Sequence, residues 1–230
     1  MYSQTKIAVP IFKKDKKSII EEAQYCIQKG ADLIEFRIDG MDNPKPQIVR
    51  EIIEEINFPT IATNRVKTEG GLFKGTEEQR VNILLETVDV AEFVDIELQT
   101  NDNLIKQITE TNVKTIISYH DFKKTPPLNE LLNIVFKEKN LGNIAKVALM
   151  PNDLEDTLTV LAILSHCEDT IAISMGDIGS YTRVISTKFN APITFAVSSD
   201  VTAPGQIDIE TMKQLLNLDI MDIDDLNSSY

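Results

Sequence analysis

Tryptophan is absent from this 230-residue chain, and only two cysteines, two histidines and five tyrosines occur. With so few aromatics the core must be built from aliphatic side chains. Cys26 and Cys167 lie far apart, in stretches that read as helices, without metal-ligand spacing. They read as reduced, packed thiols of a cytosolic protein. Two histidines with no Cys/His cluster argue against a structural zinc site. Basic charge is also scarce, with 23 Lys and Arg against 36 Asp and Glu, a formal net charge of -13. That balance speaks against nucleic acid or an anionic membrane as partner. It does not forbid a small anionic substrate held by a local arginine cluster. No apolar run approaches the roughly 20 residues of a membrane span. The polar start at residues 1–6 has no signal-peptide core, so a cytoplasmic location is expected. Also missing are a Gly-rich dinucleotide fingerprint after the first strand, internal repeats, linkers and low-complexity segments. One domain over residues 1–230 is the simple expectation.

What is present is an alternation of short apolar strands and amphipathic helices. Strands are expected at 6–11, 31–38, 60–64, 93–98, 113–119, 144–150, 170–174 and 192–197. Helices are expected from the Asp15 cap to Lys29 and at 48–56, 76–88, 103–111, 128–139, 153–166, 178–189 and 209–218. The acidic tail, 219–230, has no clear pattern. About eight strand–helix units of roughly 25–30 residues each is the rhythm of a parallel (β/α)₈ barrel. It fits that fold better than an open doubly wound sheet.

Active sites of such barrels lie at the C-terminal ends of the strands. The residue there with the least ordinary setting is Lys146, planted inside the apolar stretch 144–150. Lysine is rarely buried without a partner, and a desolvated amine attacks carbonyl carbon. Glu35 and Arg37 alternate onto one side of the second strand, where they could form an ion pair with each other. Arg65 follows the third strand, with Glu69-Gly70-Gly71 just beyond. Ser118-Tyr119-His120-Asp121 ends the fifth, Arg183 lies on the helix after the seventh, and Thr202-Ala203-Pro204-Gly205-Gln206 follows the eighth. Gly176 and Gly179 form at most a weak phosphate-binding signal. His166 reads instead as the last residue of a helix, where an imidazolium suits the dipole. One lysine, one histidine, one orphan glutamate and three arginines thus converge on one expected rim.

These residues resemble, in order, the type I 3-dehydroquinate dehydratases. The matching pieces are Glu35-Phe-Arg-Ile-Asp39, Arg65 with Glu69-Gly-Gly71, Ser118-Tyr-His-Asp-Phe122, Lys146-Val-Ala148, Ser174-Met-Gly176 with Arg183, and Ala203-Pro-Gly-Gln206. Ser118–Phe122 and Ala203–Gln206 are the most specific. The resemblance implies a (β/α)₈ barrel, a homodimer, that converts 3-dehydroquinate to 3-dehydroshikimate in the shikimate pathway. It implies neither a metal nor an organic cofactor. Lys146 would form the Schiff base, His120 would be the general acid/base, and Glu69 would orient it. Glu35, Arg37, Arg65, Arg183, Thr202 and Gln206 would hold the substrate's hydroxyls and carboxylate. The arginines would also repel the Lys146 proton. Thr202 stands where many members have serine. The hairpin that precedes the first strand in longer members is absent here, which leaves the closure of the barrel floor open. A class I aldolase would share the lysine but need a phosphate site, which would fall at 176–180. A silent binding barrel would form no reducible imine.

Overall fold

Every strand expected from the sequence is present, and all pair in parallel. The structure, a computed structural model, describes residues 5–198 and 205–217. Thr202, the acidic tail and the end of the last expected helix at Leu218 lie outside the described residues. The strands are β1 (Lys6–Ile11), β2 (Leu33–Arg37), β3 (Thr60–Thr63), β4 (Phe93–Glu97), β5 (Lys114–Asp121), β6 (Ile144–Leu149), β7 (Thr170–Ser174) and β8 (Ile193–Phe195). They form one eight-stranded sheet in the order β7-β6-β5-β4-β3-β2-β1-β8. The sheet is curled into a nearly closed (β/α)₈ barrel, with β7 and β8 at the ends of the ladder.

Helices alternate with the strands: α1 (Lys16–Lys29), α2 (Pro46–Ile56), α3 (Glu77–Leu85), α4 (Asp102–Thr109), α5 (Leu128–Leu141) and α6 (Leu154–Leu164). After β7 come α7 (Gly176–Gly179) and α8 (Thr182–Ile185), and α9 (Ile209–Asn217) follows β8. Local chemistry explains several boundaries. Asp15 accepts the Ser18 N–H at 3.1 Å and so caps α1, while Gly30, at φ 96°, stops it. Thr76 and Gln79 form a reciprocal capping box at the start of α3.

Two expectations fail here for local reasons. The single helix expected at 178–189 is broken into α7, α8 and a 3-10 turn, Ser186–Phe189. The Thr182 hydroxyl donates to the Gly179 carbonyl at 2.6 Å and accepts the Ser174 N–H at 3.2 Å. A hydroxyl that takes a backbone carbonyl in this way competes with the helix ladder. The helix expected at 153–166 ends at Leu164, so Cys167 lies past it rather than within it. His166 lies in the following turn, with Nδ1 2.8 Å from the Ala162 carbonyl. Both thiols are free and buried, and burial pushes Cys26 up to about 12. No helix among the described residues is long and apolar enough to cross a membrane.

Strand side chains alternate between the barrel's inside and the layer beneath the helices. Val9, Ile34, Ala62, Val94, Ile117 and Ala196 belong to the outer apolar cluster shared with α1 to α4 and α9. Ala145, Val147, Leu149 and Ala172 join a second cluster, beneath α5 and α6. Inside the barrel the lowest rung is apolar: Leu33, Ile61, Phe93, Ile116, Ile144, Ile171 and Ile193 pack together. Each such residue contributes roughly 1.5–3 kcal/mol by leaving water. These side chains plug the barrel from within, which answers how its floor is closed. Two residues further along five of these strands the interior changes character, whereas β7 and β8 stay apolar with Ile173 and Phe195. Leu33 gives way to Glu35, Ile61 to Thr63, Phe93 to Asp95, Ile116 to Ser118 and Ile144 to Lys146.

Candidate active site

Lys146 is only 4 % exposed and points into the barrel from the middle of β6. Its Nζ lies 2.9 Å from an Asp95 carboxylate oxygen and 3.7 Å from Glu35. It also sits 4.5 Å above the centre of the Phe195 ring, a cation–π contact. The nearest charges to this amine are therefore carboxylates. The repulsion expected from the arginines is thus set against two carboxylates close to the amine.

The arginine that comes close, Arg65, does so through the same carboxylate. Its Nη1 donates to Asp95 at 2.8 Å, to Glu97 at 2.9 Å and to the Ser118 hydroxyl at 2.7 Å. Ser118 in turn donates to Asp95 at 2.7 Å. Beyond Glu97 stands Arg80 of α3, paired with it at 2.6 Å and with Glu77 at 2.6 Å. A line of alternating charges thus runs from Glu77 on the flank of the barrel, through Arg80, Glu97, Arg65 and Asp95, to Lys146. Burial alone would raise the Asp95 carboxyl. Arg65 and Lys146 more than offset this and hold it well below the usual carboxylate range.

Glu35 and Arg37 do not pair with each other. Glu35 accepts the Thr63 hydroxyl at 3.0 Å and faces Lys146. Arg37 is gripped by Asp39 through two bonds of 2.8 Å each. Asp39 also accepts the backbone N–H groups of Arg65 and Leu72 at 3.3 and 3.1 Å, tying the loop after β3 to the end of β2. Gly71 sits within that loop. A Cβ there would stand 1.9 Å from the Arg65 carbonyl oxygen, so only glycine fits.

His120 and Glu69 meet as the sequence suggested. One Glu69 oxygen lies 2.9 Å from Nδ1 of His120 and accepts the His120 backbone N–H at 3.0 Å. With Nδ1 engaged, the ring's other nitrogen, Nε2, is left for the cavity. A lone neighbouring carboxylate would favour an imidazolium, but the surroundings act the other way. Burial first, and then Arg65 and Lys146, push His120 well below its ordinary 6.5. Burial and then Glu97 push Glu69 up to about 8. With the carboxyl raised and the imidazole lowered, the pair is neutral overall near neutral pH and titrates as a unit.

This has a consequence for stability. A carboxyl that is raised on folding stabilises the fold fully below its unfolded value of 4.5, and that contribution is lost as pH rises through about 8. Glu69→Gln removes the ionisation. Its melting temperature should therefore gain on the parent chain progressively between those two pH values, with a difference on the order of a few kcal/mol at the upper end. Paired melting curves across pH check this, and a gap that does not change with pH would contradict it.

Glu35, Arg37, Arg65, Glu69, His120, Lys146, Arg183 and Gln206 all border one cavity of about 160 Å³, which Phe122, Met175 and Phe195 close with apolar surface. An outer recess of about 780 Å³ leads to it and shares Arg37, Arg183 and Gln206. Arg183 is the exception among the arginines. Its buried Nε has no hydrogen-bond partner, and burial lowers the guanidinium to about 10. Among the described residues no carboxylate pairs with it. Thr202 cannot be placed, since it lies outside the described residues. Gly176 and Gly179 bring backbone together instead of framing a phosphate. A Cβ on Gly205 (φ 76°) would stand 2.0 Å from the Gly176 carbonyl oxygen, and one on Gly179 would stand 2.4 Å from that of Ser174. Among the described residues no three His, Cys, Asp or Glu side chains are grouped to hold a metal.

Sequence reasoning passed over Asp95, Glu97 and Phe195. A signal existed for the first two: Phe93-Val-Asp-Ile-Glu97 carries two acids on one side of an apolar strand, the same pattern that singled out Glu35 and Arg37. It also passed over Glu138 of α5, fully buried with neither carboxylate oxygen hydrogen-bonded. Burial, with Glu69 next, pushes that carboxyl well above the ordinary range.

Comparison with known proteins places this geometry in a family. The family model described as type I 3-dehydroquinase matches residues 7–223. A 3-dehydroquinate dehydratase of Methanobrevibacter smithii is 66% identical over 220 residues, 96% of this chain and 98% of the relative. One from Methanothermobacter thermautotrophicus is 49% identical over 212 residues, 92% of this chain and 96% of the relative. Among solved structures, the type I 3-dehydroquinate dehydratase of Clostridium difficile, determined with covalently modified comenic acid, superposes with a TM-score of 0.87 at 30% identity. That superposition covers 94% of this chain and 92% of the other. The 3-dehydroquinate dehydratase of Aquifex aeolicus gives a TM-score of 0.83 at 33% identity, covering 92% and 97%. The match spans the barrel and every placed candidate residue, and the chain belongs to the type I 3-dehydroquinase family.

Proposed function

We propose that this chain is a cytoplasmic 3-dehydroquinate dehydratase of the shikimate pathway, a hydro-lyase that turns 3-dehydroquinate into 3-dehydroshikimate through an imine on Lys146. The observation that carries the reading is a buried lysine amine on the wall of a small cavity, with a histidine–glutamate pair and an unpaired arginine opening onto the same space. The Lys146 amine attacks the substrate ketone, and loss of water leaves an iminium. That cation draws electrons from the neighbouring carbon and makes its proton removable. His120, held neutral with Nε2 toward the cavity, takes that proton and returns one to the departing hydroxyl. Glu69 fixes the ring by accepting the hydrogen bond from Nδ1–H, which leaves Nε2 free to act as the base. Water then hydrolyses the product imine and frees the lysine.

Arg183, desolvated and with no carboxylate partner among the described residues, is the group assigned to the substrate carboxylate, since such a buried guanidinium gains most from an anion. Arg37, Gln206, Glu35 and Thr202 are assigned to hydroxyls. Arg65 has a smaller share than its type suggests, because its Nη1 is committed to Asp95, Glu97 and Ser118. The covalently modified comenic acid of the Clostridium difficile relative is in keeping with a site that bonds covalently to a small acid.

No metal or organic cofactor enters this scheme. The test is direct: enzyme treated with a chelator and given 3-dehydroquinate should develop the ultraviolet absorbance of a conjugated enone at an undiminished rate. Loss of that rate, restored by one metal, would overturn the reading. We also infer a homodimer. Leu154 and Leu158 of α6 and Ile178 of α7 are exposed large apolar side chains, and Leu154 and Ile178 border one shallow hollow. Such a patch suits a second copy of the chain, and sedimentation reads the mass.

A further inference from the structure

The imine reading gives Lys146 a positive charge in two states, as the resting ammonium and as the iminium. The balance is simple: ammonium plus ketone gives iminium plus water, so no net charge appears or leaves. Any anion that stabilises the first can stabilise the second without moving. Asp95 is placed for this. It is fully buried, and one carboxylate oxygen lies 2.9 Å from Nζ. Its other oxygen is held by Arg65 at 2.8 Å and Ser118 at 2.7 Å, so the group cannot swing away.

We propose that Asp95 is a catalytic residue of this site, the fixed counter-ion that keeps the Lys146 iminium protonated through the elimination. An iminium that lost its proton would become a neutral imine, and a neutral imine is a poor electron sink. In a site from which water is displaced by substrate, a carboxylate at hydrogen-bond distance favours the protonated form strongly.

Other ionisable groups face the same amine and set the terms of the test. Glu35 approaches from β2 at 3.7 Å and is the alternative counter-ion. Arg65 and His120 oppose a positive charge, Glu97 is paired with Arg65 and Glu69 with His120, and Glu138 of α5 acts on the amine from outside the barrel. Asp95 differs from all of these in touching Nζ while being clamped from behind.

The inference rests on the imine reading, and two reductants separate their failures. Borohydride reduces imine and iminium alike; cyanoborohydride reduces only the iminium. With 3-dehydroshikimate as probe, borohydride should label Lys146 in both the parent chain and Asp95→Asn. In the parent chain cyanoborohydride labelling should hold steady across the pH range in which a free alkyl iminium of this ketone loses its proton. In Asp95→Asn the pH at which that labelling is half lost should fall by about one to three units. Asp95→Glu should recover most of the shift, and Glu35→Gln should show a smaller one. Matching profiles for the parent chain and Asp95→Asn would overturn the counter-ion. A parent-chain profile that tracks the free iminium would overturn it with no variant at all, so a folding defect in Asp95→Asn does not protect the idea. Failure of borohydride to label Lys146 in the parent chain would instead remove the imine reading, and the inference with it.

Discussion

Lys146→Ala is expected to fold and to lose about 10⁵-fold or more in turnover. The fold should survive because the carboxylates left behind keep other partners. Asp95 retains Arg65 and Ser118, and Glu35 retains the Thr63 hydroxyl. The activity should not survive, because among the described residues no other lysine borders the cavity. A nucleophile held against its target can be worth an effective concentration of about 10⁵–10⁸ M, and none of that is recovered by water. In the parent chain, borohydride with substrate or product should inactivate the enzyme and add mass at Lys146 alone. A label on another lysine would sink the assignment.

His120→Ala should fail in a different way. The amine remains, so ligand can still be captured as an imine, though slowly. Elimination and hydrolysis both need a proton moved at the cavity wall, and both should stall. A general acid–base group typically contributes about 10²–10⁴-fold, and one histidine serving several steps should sit at or above the upper end. Intact-mass spectrometry should therefore find a persistent adduct on Lys146 in this variant. Glu69→Gln should lose less, because it disturbs the ring's orientation and basicity without removing the base. Near-normal turnover in His120→Ala would transfer the role elsewhere. Tyr119 is a weak alternative: it packs outward among the apolar residues beneath α5 and α6, and burial together with Asp121 raises its hydroxyl. Glu35, inside the cavity, would be the candidate to examine.

These two residues were legible in the sequence because each breaks its local pattern. A lysine within Ile-Ala-Lys-Val-Ala-Leu is conspicuous, and the eight apolar strands were countable from their spacing. What was not legible follows from geometry that a linear pattern does not carry. Asp95 lies one rung below the rim, and attention to strand ends passes over it; only barrel closure sets β4 and β6 opposite ends of the same ion pair. Arg65 reads as a substrate ligand in one dimension, yet the acids of β4 claim one of its nitrogens. Arg37 lies two residues from Glu35 along the strand, but the turn that follows bends Asp39 back to it. The broken helix after β7 depends on one hydroxyl capturing one carbonyl, a choice that apolar spacing does not reveal.

The charge line from Glu77 to Lys146 bears on how such a barrel can drift in sequence. Removing one link leaves each neighbouring charge with one partner fewer, at a cost of up to about 3–5 kcal/mol where no other partner remains. Against a total stability of typically about 5–15 kcal/mol, that is close to disqualifying. Replacing two adjacent links together by apolar groups of similar bulk can be nearly neutral. Arg80 and Glu97 are therefore expected to be exchanged as a pair or not at all. Glu77, whose side chain is 32% exposed at the outer end, has water as a substitute partner and can wander alone. At the inner end neither course is open, because the partner of Asp95 is the reacting amine itself. Freedom to vary thus rises with each step away from Lys146, and the line of ion pairs becomes a gradient of permitted change.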